Sequence, residues 1–400
     1  MKITIVTKRT RAHGFGGVET NTEHIARAMT ELGHDVMVIT TAHPTGRTSE
    51  TWESGARVRY LADVPPARDS AMWWRRSADV VAALCVDGHC DVVLSTNLSG
   101  YGVAAARVPV LHYVLSTGRT LAHLVSEWHD RAGLRQRLAY GKHALALFYY
   151  AWLERRLYGR VDNVLAEDDA LFDNLRAGGW PARRFYAGVD PRQFQPDARL
   201  RGGVRRALAI PADAVVLLML ATINRQKGIW LGVQAFERLA ATHPNLHLVV
   251  VGDGPDRARL ERGVAGTAAA ARVRFTGAVA PEATGGYYAA ADLLLYPTFR
   301  IEGIPRAILE AMATELPVVA TDRGGVGSAV LNGVTGVLLR APALDPLVEA
   351  VEGLLADPSR RRAMAAASRA RVLTTFDLRS MTADLLEEMG RAGRLAVAAR

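Results

Sequence analysis

Two glutamates separated by seven residues stand in the run Glu302-Gly303-Ile304-Pro305-Arg306-Ala307-Ile308-Leu309-Glu310. The first lies in a loop after the strand-like run that ends at Tyr296. The second falls inside a helix predicted over Ile304 to Thr314, with glycine and proline at the turn into it. The free N–H groups of a helix's first turn, here in the segment from Gly303 and Ile304 past Pro305 (which has none) to Arg306, can hold an anion or a sugar hydroxyl. Glu302 at that mouth can accept hydrogen bonds from sugar hydroxyls, and Glu310, two turns on, can reach a ribose diol. Taken alone, the pair reads more simply as two solvated glutamates; its surroundings decide.

Those surroundings are two series of alternating strands and helices. The first opens with a β-rich run, KITIVT, then a glycine turn containing Gly16 and Gly17. A helix with apolar spacing follows over Glu19 to Leu32, and a strand over Asp35 to Thr40, which together make a βαβ unit. Asp91 to Ser95, Val108 to Val114 and Val161 to Ala166 read as further buried strands, and Leu121 to Leu157 as a long helical stretch. A segment rich in turn formers runs from Gly188 to Asp197. A second series follows, with strands at Ala214 to Leu220, Leu246 to Val251, Val273 to Gly277, Asp292 to Tyr296 and Pro317 to Thr321. The expected fold is α/β, with two Rossmann-like doubly wound domains facing a cleft that would hold the ligand. The expected domains are residues 1–195, for the acceptor, and 196–376, for the donor. A helix over residues 377–400 would pack back on the first domain.

Composition narrows the field. The chain has 400 residues, 49% hydrophobic and 22% charged, which excludes wholesale disorder. Its net charge of +9 suits an acidic substrate or an anionic membrane surface. No nucleic-acid motif accompanies it. Cys85 and Cys90, the two cysteines, lack the spacing of a zinc site or disulfide framework. No secretion signal is visible, and the longest strongly apolar run, Ala144 to Leu153, is too short to span a bilayer. The expected location is cytoplasmic, with or without peripheral contact at the inner face of the membrane.

Residues 302–319 (EGIPRAILEAMATELPVV), with Thr321-Asp322-Arg323-Gly324-Gly325 behind them, resemble the glutamate-seven-glutamate signature of family 4 retaining glycosyltransferases. Gly16-Gly17-Val18-Glu19 resembles that family's first glycine turn, and Lys227-Gly228 its phosphate-site lysine. Gly188-Val189-Asp190, Gly252-Asp253-Gly254-Pro255 and Tyr288 to Asp292 match in order along nearly the whole chain. The resemblance implies the GT-B fold and a UDP- or GDP-sugar donor carrying a hexose. It also implies retention of anomeric configuration, no cofactor and no metal. Glu310 would bind the ribose and Glu302 the donor sugar, with Lys227 and Glu302 as catalytic groups. Gly277 to Val279 would read the base through backbone, and Gly16 and Gly17 would let backbone approach the phosphates or the acceptor.

Two positions depart from the pattern. Thr222 stands where the family usually has arginine, which makes Arg225 a candidate second phosphate cation. Leu115 stands where many relatives have histidine. His112, Ser116, Thr117 and Arg119 are then the candidate acceptor residues. The same departures admit an alternative: a catalytically impaired protein that binds sugar nucleotides. The acceptor, a lipid-linked glycan or a small metabolite, is unidentified. Aromatic and basic residues mix at Trp73-Trp74-Arg75-Arg76 and from Trp128 to Arg160, which suits either a headgroup interface or a packed helix with a basic outer face.

Overall fold

A computed structural model describes residues 1–14, 17–108, 111–116, 149–186 and 188–398. The chain divides into two compact units: Met1–Gly188 joined by Leu378–Arg400, and Val189–Asp377. The division falls earlier than the expected 195/196 boundary because Val189 and Phe194 belong to the second unit. Val189 N–H donates to the carbonyl of Phe376 at 3.0 Å, and the Phe194 ring meets Tyr288 edge-on.

The first unit contains β1 (Lys2–Val6), β2 (Asp35–Thr41), β3 (Ser49–Thr51), β4 (Arg57–Leu61), β5 (Val92–Thr96), β6 (Leu111–Ser116), β7 (Asn163–Ala166) and β8 (Ala182–Arg184). Among the described residues they form one sheet in the order β3-β4-β2-β1-β5-β6-β7-β8. Every pairing is parallel except β3 with β4 at the edge. β1, β2, β5 and β6 carry apolar side chains on both faces because helices cover both. Ile3, Ile5, Ile25, Met29, Val36 and Leu94 form one core, which the helix Leu378–Ala398 closes with Leu378, Leu385, Leu386 and Met389. Arg379 pairs with Glu31 at 3.0 Å and Arg183 with Glu388, tying the same helix down at its rim.

The second unit contains β9 (Val215–Leu220), β10 (Leu246–Val251), β11 (Val273–Gly277), β12 (Leu293–Tyr296), β13 (Val318–Thr321) and β14 (Gly336–Leu339). Their order is β11-β10-β9-β12-β13-β14, all parallel. The chain winds one way from β9 to β11, then returns to β12 and winds the other way. β9 and β12 therefore flank the switch point, beyond whose carboxyl ends such sheets bind ligands. All six residues of β10 are buried, as a central parallel strand requires.

Trp73 is fully buried and the indole N–H of Trp74 donates to the carbonyl of Leu98 at 2.9 Å, so these two tryptophans pack rather than face solvent. Of the long stretch expected as helix over Leu121 to Leu157, residues 149–158 are helical and 121–148 lie outside the described residues.

Candidate active site in the second unit

Three loops that leave the carboxyl ends of β9, β12 and β13 build the site. After β9, the Asn224 side chain accepts the backbone N–H of Lys227 at 3.0 Å and closes a single 3-10 turn over Arg225–Lys227. Gly228 follows at φ 69°, and a Cβ there would lie 1.9 Å from the carbonyl oxygen of Pro297. Only glycine lets the turn press this closely on the residue after β12. The two segments are stitched further by Phe299 N–H donating to the carbonyl of Gln226 at 2.9 Å. The turn after β13 completes the frame. Gly325 N–H donates to the carbonyl of Glu302 at 2.8 Å, and Gly324 sits at φ 59° with space for no Cβ against that same oxygen.

This frame brings Lys227 and Glu302 together. The Lys227 ammonium donates to both carboxylate oxygens of Glu302 at 2.7 Å and to the Tyr296 hydroxyl at 3.1 Å. Tyr296 in turn donates to Glu302 Oε1 at 2.9 Å. The Lys227 and Glu302 side chains are 13% and 11% exposed. Burial pushes the Glu302 carboxyl up, but the charge and hydrogen bond of Lys227, the Tyr296 hydroxyl and the charge of Arg300 outweigh it. The net effect holds Glu302 below the usual glutamate range.

Gly303, Ile304 and Pro305 are buried, and the helix Arg306–Ala313 begins behind them without a side-chain cap. Within its first turn the Ile308 N–H donates back to the Pro305 carbonyl at 3.0 Å. Glu310 lies one turn inside. It accepts from the Tyr288 hydroxyl at 2.9 Å and from Arg306, four residues earlier, at 3.3 Å. Burial raises its carboxyl above the ordinary value, with Arg306 and Tyr288 opposing. A carboxylate and a compact cation at the switch point, beside an uncapped helix start, can hold a sugar hydroxyl and a diphosphate together.

The other expected site residues are placed as follows. Arg225 shares the turn of Lys227 and is exposed, as is Thr222. Gly277 ends β11, accepts the N–H of Gly252 at 2.9 Å and is followed by half-buried Val279. Gly277 closes the edge strand and Val279 follows it, and β10 separates that strand from β9. In the first unit, Gly17 opens the helix Gly17–Glu31, while Gly16, Thr117 and Arg119 lie outside the described residues. Ser116 is the last residue of β6. His112 lies inside the sheet of the first unit. It is 4% exposed on an inner strand, with Nε2 2.8 Å from Ser95 Oγ and its own N–H on Asp162. Burial drives its pKa down to about 3. It is a neutral, buried histidine held between Ser95 and Asp162.

Two family models cover most of the chain: "Glycosyl transferase 4-like domain" matches residues 16–186 and "Glycosyl transferases group 1" residues 203–371. The chain belongs to the family 4 glycosyltransferases. It is 29% identical over 367 residues to a GDP-mannose-dependent alpha-mannosyltransferase of Mycolicibacterium smegmatis, with 90% of each chain covered. A GDP-mannose-dependent alpha-(1-6)-phosphatidylinositol monomannoside mannosyltransferase of the same organism is 32% identical over 206 residues, which span 50% of this chain and 54% of that relative. Among solved structures, sucrose-phosphate synthase from Thermosynechococcus elongatus aligns with a TM-score of 0.77 at 21% identity over 100% of both chains. Anabaena Alr3699/HepE, solved in complex with UDP, aligns with a TM-score of 0.77 at 19% identity over 98% of this chain and 100% of that one. At such identities the likeness shows the fold alone, and the fold is GT-B.

Sequence reading of this glycosyltransferase missed Tyr296, Arg300 and Arg306 as members of the site. Arg306 was legible, since four residues on a helix bring it over Glu310. Tyr296 looked like one more apolar strand residue in LLLY, and only the turn around Gly228 shows what its hydroxyl meets.

Proposed function

We propose that the glycosyltransferase transfers a hexosyl group from a UDP- or GDP-sugar to an acceptor hydroxyl with retention of anomeric configuration. The observation that carries this is the Lys227–Glu302 pair at the β9/β12 switch point. In this reading Lys227 stabilises the departing diphosphate, Glu302 accepts a hydroxyl of the donor sugar and Glu310 accepts the ribose diol. The acceptor oxygen bonds to the anomeric carbon on the face from which the diphosphate leaves. The departing phosphate oxygen takes the acceptor proton, so the protein needs no nucleophile. The protein groups carry the leaving charge, and the reaction is proposed to need no metal. The mannosyltransferase relatives, named as GDP-mannose-dependent, support a GDP-sugar as the first donor to try.

A lipid-linked glycan is the favoured acceptor class, a small metabolite the other. Tyr149 and Trp152 are 53% and 48% exposed and stacked, with the guanidinium of Arg156 4.5 Å above the Trp152 ring. On the same helix Leu153 and Leu157 face the core. An aromatic and cationic outer face of this kind suits an anionic bilayer surface. No described helix is long and apolar enough to cross a membrane.

The test is donor screening of purified protein against UDP-, GDP-, ADP- and TDP-sugars in the presence of a chelator, by thermal shift and nucleotide release. One stabilising donor with slow release supports the reading; the anomer formed, read by proton NMR, tests retention. Binding without turnover of any acceptor would favour the impaired binding protein, and no binding at all would overturn the site assignment. Flotation with vesicles containing anionic lipid, against neutral vesicles, tests the bilayer surface.

A further inference from the structure

We infer that the hydroxyl of Tyr296 positions Glu302 for the donor sugar, fixing carboxylate oxygen Oε1 so that Oε2 is presented to a sugar hydroxyl. The inference rests on the donor-site reading above and adds a residue to it.

The direction of the hydrogen bonds follows from chemistry. An ammonium has three donors and no acceptor, so Lys227 donates to the Tyr296 oxygen at 3.1 Å. The one phenolic proton is then left for Glu302 Oε1, 2.9 Å away. Oε1 thus accepts from both Lys227 and Tyr296, whereas Oε2 is given Lys227 alone. Three Lys227 contacts, to Oε1, Oε2 and the phenol, match the three protons the ammonium has. A diphosphate that recruits Lys227 competes with these acceptors for its protons. Once it does, Tyr296 is the group that keeps Glu302 hydrogen-bonded.

Tyr296 is suited to that task by its place. It is the last residue of β12, 5% exposed, and registers with Ala320 of β13. Its hydroxyl is therefore carried by the sheet, while Glu302 and Lys227 both sit on loops. A loop carboxylate aimed from a rigid strand is the usual way to hold a binding group within a fraction of an ångström.

The experiment compares wild type and Tyr296→Phe, which keeps the buried ring and removes one oxygen. Binding of the nucleotide sugar and of the matching nucleoside diphosphate is measured by calorimetry, with donor KM and kcat alongside. The expected result is an affinity for the nucleotide sugar weakened about ten- to hundredfold and an affinity for the nucleoside diphosphate changed less than about threefold. A role in packing alone would weaken both ligands together or neither, and either outcome overturns the inference. A second readout guards against an unstable variant. In a Glu302→Gln background, adding Tyr296→Phe should cause no further loss of sugar affinity. An undiminished further loss would mean that Tyr296 acts independently of Glu302. Wild type that binds no nucleotide sugar at all would remove the donor-site reading and this inference together. Wild-type binding that Tyr296→Phe leaves intact would remove this inference alone.

Discussion

Lys227 Nζ lies 2.7 Å from both carboxylate oxygens of Glu302, in surroundings that leave little of either side chain exposed. Removing one member of such a pair leaves the other charge buried and uncompensated, which typically costs about 3–5 kcal/mol. We predict that Lys227→Met lowers stability by an amount of that order at pH 7, and that Lys227→Met with Glu302→Gln recovers most of it. Urea denaturation of the three proteins decides. A single variant as stable as wild type would mean the pair is hydrated and contributes nothing.

The pH dependence has a defined sign. Glu302 titrates lower in the folded protein than in the unfolded chain, so its contribution is fully present above the unfolded value of about 4.3. It is lost as pH falls from there through the folded value. Replacing Glu302 with glutamine should flatten this part of the acid limb. Denaturation midpoints collected from pH 6 to pH 3 provide the comparison.

Glu310 behaves oppositely. Burial raises its carboxyl, so the folded state is penalised as pH rises from the unfolded value towards the folded one. We predict that Glu310→Gln, which can still meet Tyr288, is at least as stable as wild type at pH 7 but binds nucleoside diphosphate at least about tenfold more weakly. Unchanged affinity in this variant would remove Glu310 from the donor site.

Gly324 offers a test of the frame. Alanine there would meet the Glu302 carbonyl oxygen at 2.1 Å on a backbone at φ 59°. Gly333, at φ 78° with open space around its missing Cβ, is the matched control. Both substitutions carry the left-handed backbone cost of about 1–3 kcal/mol. Only Gly324→Ala displaces Glu302, so only it should reduce donor affinity. Equal loss of affinity in both variants would show that backbone strain, and not the contact with Glu302, is responsible.

His112 should affect stability and not chemistry. Its folded pKa near 3 lies well below the unfolded value of about 6.5, so stability falls as pH drops below that value, by up to about 1.4 kcal/mol per pH unit for this one group. His13, His34 and His247 are also lowered by burial and add to the same limb. His112→Gln should remove one proton's share of the slope and leave any transferase activity at pH 7 within a few fold. Activity abolished in a stably folded variant would restore His112 as an acceptor group.

Much of this architecture was legible because its strands are long apolar runs closed by glycine or proline. β10 and β12 are examples, and Glu302 with Glu310 stood out by spacing alone. Of the four edge strands among the described residues, β11 was legible and the other three were not. β3, β8 and β14 have three or four residues each, and β8 is ARR, with no alternation to find. Charge pairing was also hidden. Lys227 and Glu302 are far apart in sequence, and each was read as a group awaiting ligand. Their mutual contact depends on Gly228 and Gly324 allowing two backbones to approach. The burial of His112 was not legible either, because a polar residue in a strand gives no sign of which neighbouring Ser or Asp will enclose it.

The helix Leu378–Ala398 belongs to the first unit although the whole of the second unit precedes it in the chain. On the ribosome, the strands β1 to β8 emerge long before the helix that covers Ile25 and Met29. The Val189–Asp377 unit is contiguous and can fold as it appears. The unit containing the N-terminus must wait, its apolar flank uncovered, until Leu385 and Met389 are synthesised. Order of synthesis and order of completion are therefore reversed. A nascent chain stalled just after Asp377 would carry a complete second unit and an unfinished, aggregation-prone first unit.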